Sequence, residues 1–309
     1  MKHHVVCIGA MLVDELFYCK EAVVAATSNP AIVKRAAGGV MRNIAHHLAL
    51  LGIPVQLITV TGNDSDGQWL NEDCMRAGID MSATITANCS TGKYSAILGP
   101  DGSLYAAACV NPSESFITID LLKERDGVLS SATIIVADTN LDANVLEWLI
   151  QYCSDRNILL FVEPVSVAKA RKLSSIVLNG LYMVTPNEDE LPSLSLNDSS
   201  AESILQELIV KGVKHVWLRK GANGSEIITS EDRYSLPSPN TIVKDITGAG
   251  DAALAAWIAA YCLGKNEKQC LLAAHAMAAA IIKIEGAVDT SIDQKKLFDS
   301  IKTYYPDEQ

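Results

Sequence analysis

The strongest chemical signal in the chain is Asp245-Ile246-Thr247-Gly248-Ala249-Gly250-Asp251, which runs straight into an apolar helical pattern, Ala252–Leu263. A Gly-rich turn opening a helix leaves backbone N–H groups without intrahelical partners. With the helix dipole behind them they make an anion site that needs no cationic side chain. Asp251 stands on the first turn beside that site. A carboxylate there is suited to take a proton from a hydroxyl while the N–H groups hold a transferring phosphoryl group. On these residues alone a second reading is equally open: a tight turn, with Asp251 a favourable first-turn acid. The spacing is not a Walker loop, because Gly-x-x-x-x-Gly-Lys-Ser/Thr is absent.

A second glycine-rich start, Gly38-Gly39-Val40-Met41-Arg42-Asn43, opens the helical stretch that reaches Leu51-Gly52. Paired glycines let a ligand approach the backbone closely. Asn43, one turn in, can donate to and accept from sugar hydroxyls. Taken alone these residues fit an ordinary helix start with a surface Asn better than a ligand site. His46 and His47 follow mid-helix without a metal-ligand pattern.

Parallel strands and their helices must position these segments. Near-continuous apolar runs at Val5–Gly9, Val55–Val60, Thr133–Ala137, Ile158–Val162, Leu181–Val184 and Val213–Leu218 predict strands covered on both faces. Helical patterns at Gly39–Leu51, Ser65–Ala77, Asp142–Ser154 and Ala201–Lys211 alternate with them. The expected fold class is α/β, a mostly parallel central sheet flanked by helices. Residues 11–36 and 84–108 carry extended patterns and turn signals with no intervening helix. They predict a small antiparallel sheet inserted in the 1–309 domain as a lid. The final third, Gly250–Leu263 and Glu267–Ile284, is Ala- and Leu-rich on nearly every side and predicts buried helices.

Composition bounds the partners. The 309 residues carry 25 Lys and Arg against 36 Asp and Glu, a net charge of −11. That sign argues against nucleic acid and against an anionic membrane surface. The longest apolar stretches are far short of the roughly 20 residues that span a bilayer. The amino terminus reads as a strand rather than a signal peptide. Eight cysteines lack C-x-x-C or zinc spacing, which points to a reduced, cytoplasmic protein.

Gly38-Gly39 with Asn43, joined to Asp245-x-Thr247-Gly248-Ala249-Gly250-Asp251 in that order, resembles the two signature motifs of the PfkB (ribokinase-like) carbohydrate and nucleoside kinases. The likeness covers essentially the whole chain. Cys7-Ile8-Gly9-Ala10 with Asp14 looks like the family's first strand and sugar-binding Asp. Asn187-Glu188-Asp189-Glu190 matches its N-x-x-E motif. Leu218-Arg219-Lys220-Gly221-Ala222-Asn223-Gly224 looks like the strand and turn under the nucleotide. The resemblance implies a ribokinase-like three-layer fold, ATP as phosphoryl donor and Asp251 as general base. It implies an anion hole from Gly248, Ala249 and Gly250, and Mg²⁺ organised by Glu190 with Asn187 through water. The nucleotide would meet Asn187, Arg219, Gly221, Gly224, Thr247 and His275. A K⁺ site would draw on Asp245 and Thr247, with carbonyls of Ile284 and Gly286. Lid strands of such kinases pair between subunits, which implies a homodimer.

Within the family the chain is similar to pseudouridine kinases at Ser28-Asn29-Pro30, at Gly39-Val40-Met41-Arg42-Asn43-Ile44-Ala45 and at Glu163-Pro164-Val165-Ser166, where Glu stands for the usual Asp. Asp138-Thr139-Asn140-Leu141 also fits, whereas Asn111-Pro112-Ser113-Glu114 departs from the pattern. The acceptor is then expected to be a nucleoside. Asp14, Gly38, Gly39 and Asn43 would take the ribose, and Asp138, Lys169, Ser28 and Asn29 would read the base. Arg42 and Lys169 equally fit ordinary surface charges. The same family leaves open a kinase of ribose or another small sugar. A non-catalytic sensor would not need both Asp251 and the anion turn. A dinucleotide-dependent oxidoreductase lacks its Gly-x-Gly-x-x-Gly turn after the first strand.

Overall fold

The computed structural model describes residues 3–197 and 199–306. Its strands, in chain order, are β1 (Val5–Ile8), β2 (Leu12–Cys19), β3 (Ala31–Gly38), β4 (Val55–Ile58), β5 (Val60–Gly62), β6 (Ile85–Ala87), β7 (Lys93–Leu98), β8 (Leu104–Val110), β9 (Ile134–Asp138), β10 (Leu159–Glu163), β11 (Met183–Val184), β12 (His215–Arg219), β13 (Ser225–Ile228) and β14 (Arg233–Leu236). The six apolar runs of the sequence become β4, β1, β9, β10, β11 and β12, parallel neighbours in an eight-stranded sheet ordered β14-β13-β12-β11-β10-β9-β1-β4. The antiparallel edge, β13 and β14, is not legible in the sequence: both strands are four residues long and carry charges.

Side chains alternate between two cores, as the period of a strand requires. Val5 and Cys7 of β1, with Ile134 and Val136 of β9, face one core; Val6, Ile8, Ile135 and Ala137 face the other. The first core is closed by the helices Val40–Leu50, Ala249–Cys262 and Glu267–Ile281, the second by Ala143–Arg156 and Ala201–Val210. The eight cysteines are free thiols.

The second sheet is ordered β3-β2-β7-β8 and corrects two expectations. It is mixed rather than antiparallel, because β2 and β7 run parallel from Val13 opposite Lys93. Lys93 opens β7 opposite the start of β2, so both strands leave the core from one edge. Residues 85–87 do not belong to it either: β6 pairs with β5 beside the core. The β2–β3 hairpin ends with Gly38 opposite Leu12. That register returns the chain to the carboxyl end of β1 and sets the Gly38-Gly39 start there. Strand ends of this kind gather ligands in α/β sheets.

Gly39 adopts φ +96°, and a Cβ there would lie 2.5 Å from the Ala10 carbonyl oxygen and 2.7 Å from Met11 Cα. Gly39→Ala combines left-handed strain with a backbone clash, a cost of roughly 1–3 kcal/mol or more. The denaturant midpoint of the variant should fall clearly below the parent's; an unchanged midpoint would show that the turn relaxes freely.

Candidate active site

Asp251 and Asn43 meet where two helices begin at the same edge of the sheet. Asn43 Nδ2 donates to Asp251 Oδ2 at 2.9 Å. Burial pushes the Asp251 carboxyl up to about 7, and the nearby Glu163 and Asp138 carboxylates push the same way. The Asn43 donation and the Arg219 guanidinium oppose them.

The turn before Asp251 differs in one respect from the reading of its sequence. Gly248 sits at φ 73°, ψ 1° as the N-cap of the Ala249–Cys262 helix. In a turn with glycine in the left-handed region the fourth residue donates back to the first. Here the Ala249 N–H is spent in that way on the Ile246 carbonyl, at 3.2 Å. The N–H groups of Gly248, Gly250 and Asp251 have no partner among the described residues. Of the three N–H groups expected to be free, that of Ala249 is therefore not, and that of Asp251 is unpartnered among the described residues. Asp245 staples this turn: Oδ1 accepts from the Thr247 N–H and hydroxyl, at 2.9 and 2.7 Å, and Oδ2 accepts from the Gly286 N–H at 2.9 Å. Among the described residues no group of three or more His, Cys, Asp or Glu is placed to hold a metal.

A cavity of about 390 Å³ adjoins Asp251, lined among others by Asn187, Glu190, Arg219, Gly221, Gly224, Gly250 and His275. Asn187 and Glu190 lock each other: the Asn187 N–H donates to Glu190 Oε2 at 3.0 Å, and the Glu190 N–H to Asn187 Oδ1 at 2.8 Å. Burial raises the Glu190 carboxyl above its ordinary value. His275 is buried and held near pH 4 in its titration, so its ring is neutral at pH 7. Its Nε2 meets Ser225 Oγ at 2.7 Å, and Nδ1 lies 3.0 Å from the Tyr305 hydroxyl.

Glu163 was not singled out as a site residue in the sequence, yet it anchors the floor of the site. It accepts from Arg219 Nη2 at 2.7 Å and from the Thr185 hydroxyl at 2.5 Å. Arg219 also lies 3.8 Å from Glu190 and packs against Gly250. A clue was present: a carboxylate directly after a buried strand run, at the sheet end where ligands gather.

The acceptor side is less uniform. Asp14, on β2, packs against Gly38, and burial raises its carboxyl to about 6. Asp138 is fully buried and also raised to about 6 by burial. Its oxygens accept from the Ala10 N–H at 3.1 Å and the Asn140 N–H at 3.0 Å, so it fixes the strand ends. Lys169 donates to Asn140 Oδ1. Ser28 is exposed, and Asn29 is turned into its own loop, exchanging hydrogen bonds with Val24 at 2.9 Å. Asn29 lines a separate cavity on the second sheet with Phe17 and Ala107, not the one beside Asp251. Arg42 is no surface charge: it is buried and pairs with Asp73 at 2.6 Å. His46 and His47 are buried too, and His47 Nε2 meets the Ala287 carbonyl at 3.0 Å, behind Gly248.

No helix among the described residues is long and apolar enough to cross a membrane. Comparison with known proteins agrees with this architecture. The chain is 31% identical over 261 residues to the pseudouridine kinase of Escherichia coli K12, covering 82% of each protein. It is 30% identical over 245 residues to the uncharacterized sugar kinase YeiI of the same organism, covering 77% of this chain and 66% of that one. A solved ribokinase from Arabidopsis thaliana, complexed with ribose and ATP, shares the fold at TM-score 0.85 and 21% identity, over 98% of this chain and 99% of that one. The family model for pfkB carbohydrate kinases matches residues 2–295, and the chain therefore belongs to the pfkB family of carbohydrate kinases.

Proposed function

We propose that, within the ATP-dependent sugar and nucleoside kinase activity of its family, this chain phosphorylates the 5′-hydroxyl of a nucleoside, pseudouridine. The observation that carries the kinase chemistry is the pairing of Asp251 with unpartnered N–H donors on its own helix turn. Asp251 takes the proton of the attacking hydroxyl. The N–H groups of Gly248, Gly250 and Asp251 hold the oxygens of the transferring phosphoryl group. Arg219, fixed by Glu163, supplies positive charge beneath them. Mg²⁺, where bound with the nucleotide, would supply charge that screens the phosphates, and Glu190 would hold it with Asn187. Glu190 fits it: one oxygen is held by the Asn187 N–H, and Oε1 has no protein partner among the described residues. Pseudouridine is supported by the 31% identity to a pseudouridine kinase and by the Ser28-Asn29-Pro30 and Glu163-Pro164-Val165-Ser166 stretches.

A second reading, a kinase of ribose or another small sugar, is favoured by one feature of the acceptor side. Asn29, expected to read a base, is bonded into its own loop and lines a separate cavity, whereas Asn43, expected to take a sugar hydroxyl, lies beside Asp251 at the helix start. The relative YeiI is named an uncharacterized sugar kinase.

Asp251→Asn should keep the fold and acceptor binding but lose about 10²–10⁴-fold in turnover. In the parent, acceptor kcat/KM should fall as pH drops through about 7, because a base works only when ionised. Turnover within about threefold of the parent, with chemistry limiting, would remove Asp251 as the base.

Glu190→Gln should raise the Mg²⁺ concentration for half-maximal rate and leave acceptor binding without ATP unchanged. A Mg²⁺ titration that overlays the parent's would take Glu190 out of the site.

Pseudouridine exposes a ring N–H that uridine lacks, and an acceptor left unpaired in a buried site costs about 1–3 kcal/mol. A panel of acceptors with ATP and Mg²⁺, read by ADP release, should give pseudouridine at least about tenfold higher kcat/KM than uridine, with D-ribose below both. Ribose or another sugar as the best acceptor would select the second reading and leave the kinase chemistry standing.

A further inference from the structure

Arg42 is a buried cation with no place in the phosphoryl-transfer chemistry, and one of its hydrogen bonds reaches Asn43. The side chain is only 6% exposed. Nη2 pairs with Asp73 Oδ2 at 2.6 Å, on the Ser65–Arg76 helix. Nη1 donates to the Ala37 carbonyl at 3.1 Å and to Asn43 Oδ1 at 3.3 Å. Its Nε–H is buried and has no partner among the described residues.

A buried ion pair with one donor left over is poor value as a stability device, because desolvating the charge offsets the attraction. What this one does is choose between the two ends of an amide. A primary amide can turn either its oxygen or its NH₂ toward Asp251. An ionised guanidinium cannot accept a hydrogen bond, so the amide end beside it must be the oxygen. The NH₂ end is then directed at Asp251 Oδ2, 2.9 Å away, where the opposite orientation would set oxygen against oxygen.

We propose that Arg42, anchored by Asp73, is a positioning residue that holds Asn43 as a donor. It thereby sets which atom of the acceptor Asn43 recognises: the oxygen of a substrate hydroxyl, not its hydrogen. The inference rests on the reading of Asp251 as base and of Asn43 as an acceptor ligand. It extends that reading to the polarity of the contact.

Arg42→Lys keeps the charge opposite Asp73 but cannot present two forked donors, since an ammonium is a point charge. The acceptor KM should rise about tenfold or more, while the KM for ATP stays within about twofold. In an Asn43→Ala background the same change should add less than about twofold, because residues acting through one another are not additive. Asn43→Asp, which keeps the oxygen beside Arg42 and removes the donor, should fall at least as far as Asn43→Ala. If Arg42→Lys does not fold, Asp73→Asn loosens the anchor and should move the acceptor KM in the same direction. An unchanged acceptor KM, equal changes in both KM values, or full additivity with Asn43→Ala would overturn the proposal. Asp251→Asn, assayed beside them, separates that failure from failure of the base assignment.

Discussion

The hydrogen bond between Asn43 and Asp251 joins residues 208 apart in sequence, and the site depends on the packing that allows it. The two residues sit in the first turns of the helices Val40–Leu50 and Ala249–Cys262, which share one core on one face of the sheet. Their side chains can meet only if the helices approach closely. The sequence Ala249-Gly250-Asp251-Ala252-Ala253-Leu254-Ala255-Ala256 supplies small residues for that approach, and Ala252, Ala253, Ala255 and Ala256 are all buried. Larger side chains there would separate Asp251 from Asn43 before they touched either one. Close packing transmits such volume changes through a core.

The arrangement concentrates carboxylates where burial disfavours their charge. Asp251, Asp138 and Asp14 are raised to about 7, about 6 and about 6, each chiefly by burial. A carboxyl whose folded value is raised stabilises the fold fully below its unfolded value near 4. That contribution is lost as pH rises through the folded value. At neutral pH these groups therefore work against the folded state. Arg219 offsets part of that effect from within, lying between Glu163 and Glu190 with Asp251 in its field. Burial of this kind sets a perturbed carboxyl against stability, a pattern that clusters at functional sites.

Most of the framework was readable because it follows from period and from glycine. Six apolar runs gave six parallel strands, and Gly38-Gly39 and Gly248-Ala249-Gly250 marked two helix starts that do open the site. What escaped was decided by contacts between segments remote in sequence. Arg42 fitted a surface charge until Asp73 and the Ala37 carbonyl were found around it. Glu163 drew notice only as a departure from a motif, because its partners Thr185 and Arg219 come from other strand ends. Asn29, by contrast, carries a motif that looked directed at a ligand. A short loop can satisfy an Asn amide locally, and this one does.

The turn at Gly248 shows why one residue type at one position matters so much. Because the Ala249 N–H closes the turn on Ile246, the unpartnered donors nearest the helix axis are those of Gly250 and Asp251. Asp251 then offers its N–H and its carboxylate from a single residue. If a phosphoryl group rests on the N–H, the hydroxyl that loses its proton to the carboxylate is held at a distance set by one residue's covalent geometry. Positioning of this kind needs no movement of the helix during transfer, and fixed geometry is a large part of what catalysis of phosphoryl transfer requires. The Asp245 staple to Gly286 and the His47 contact to Ala287 hold the turn from behind. Gly248, whose Cβ would collide with Ala287, is the residue that lets those supports come close enough to do so.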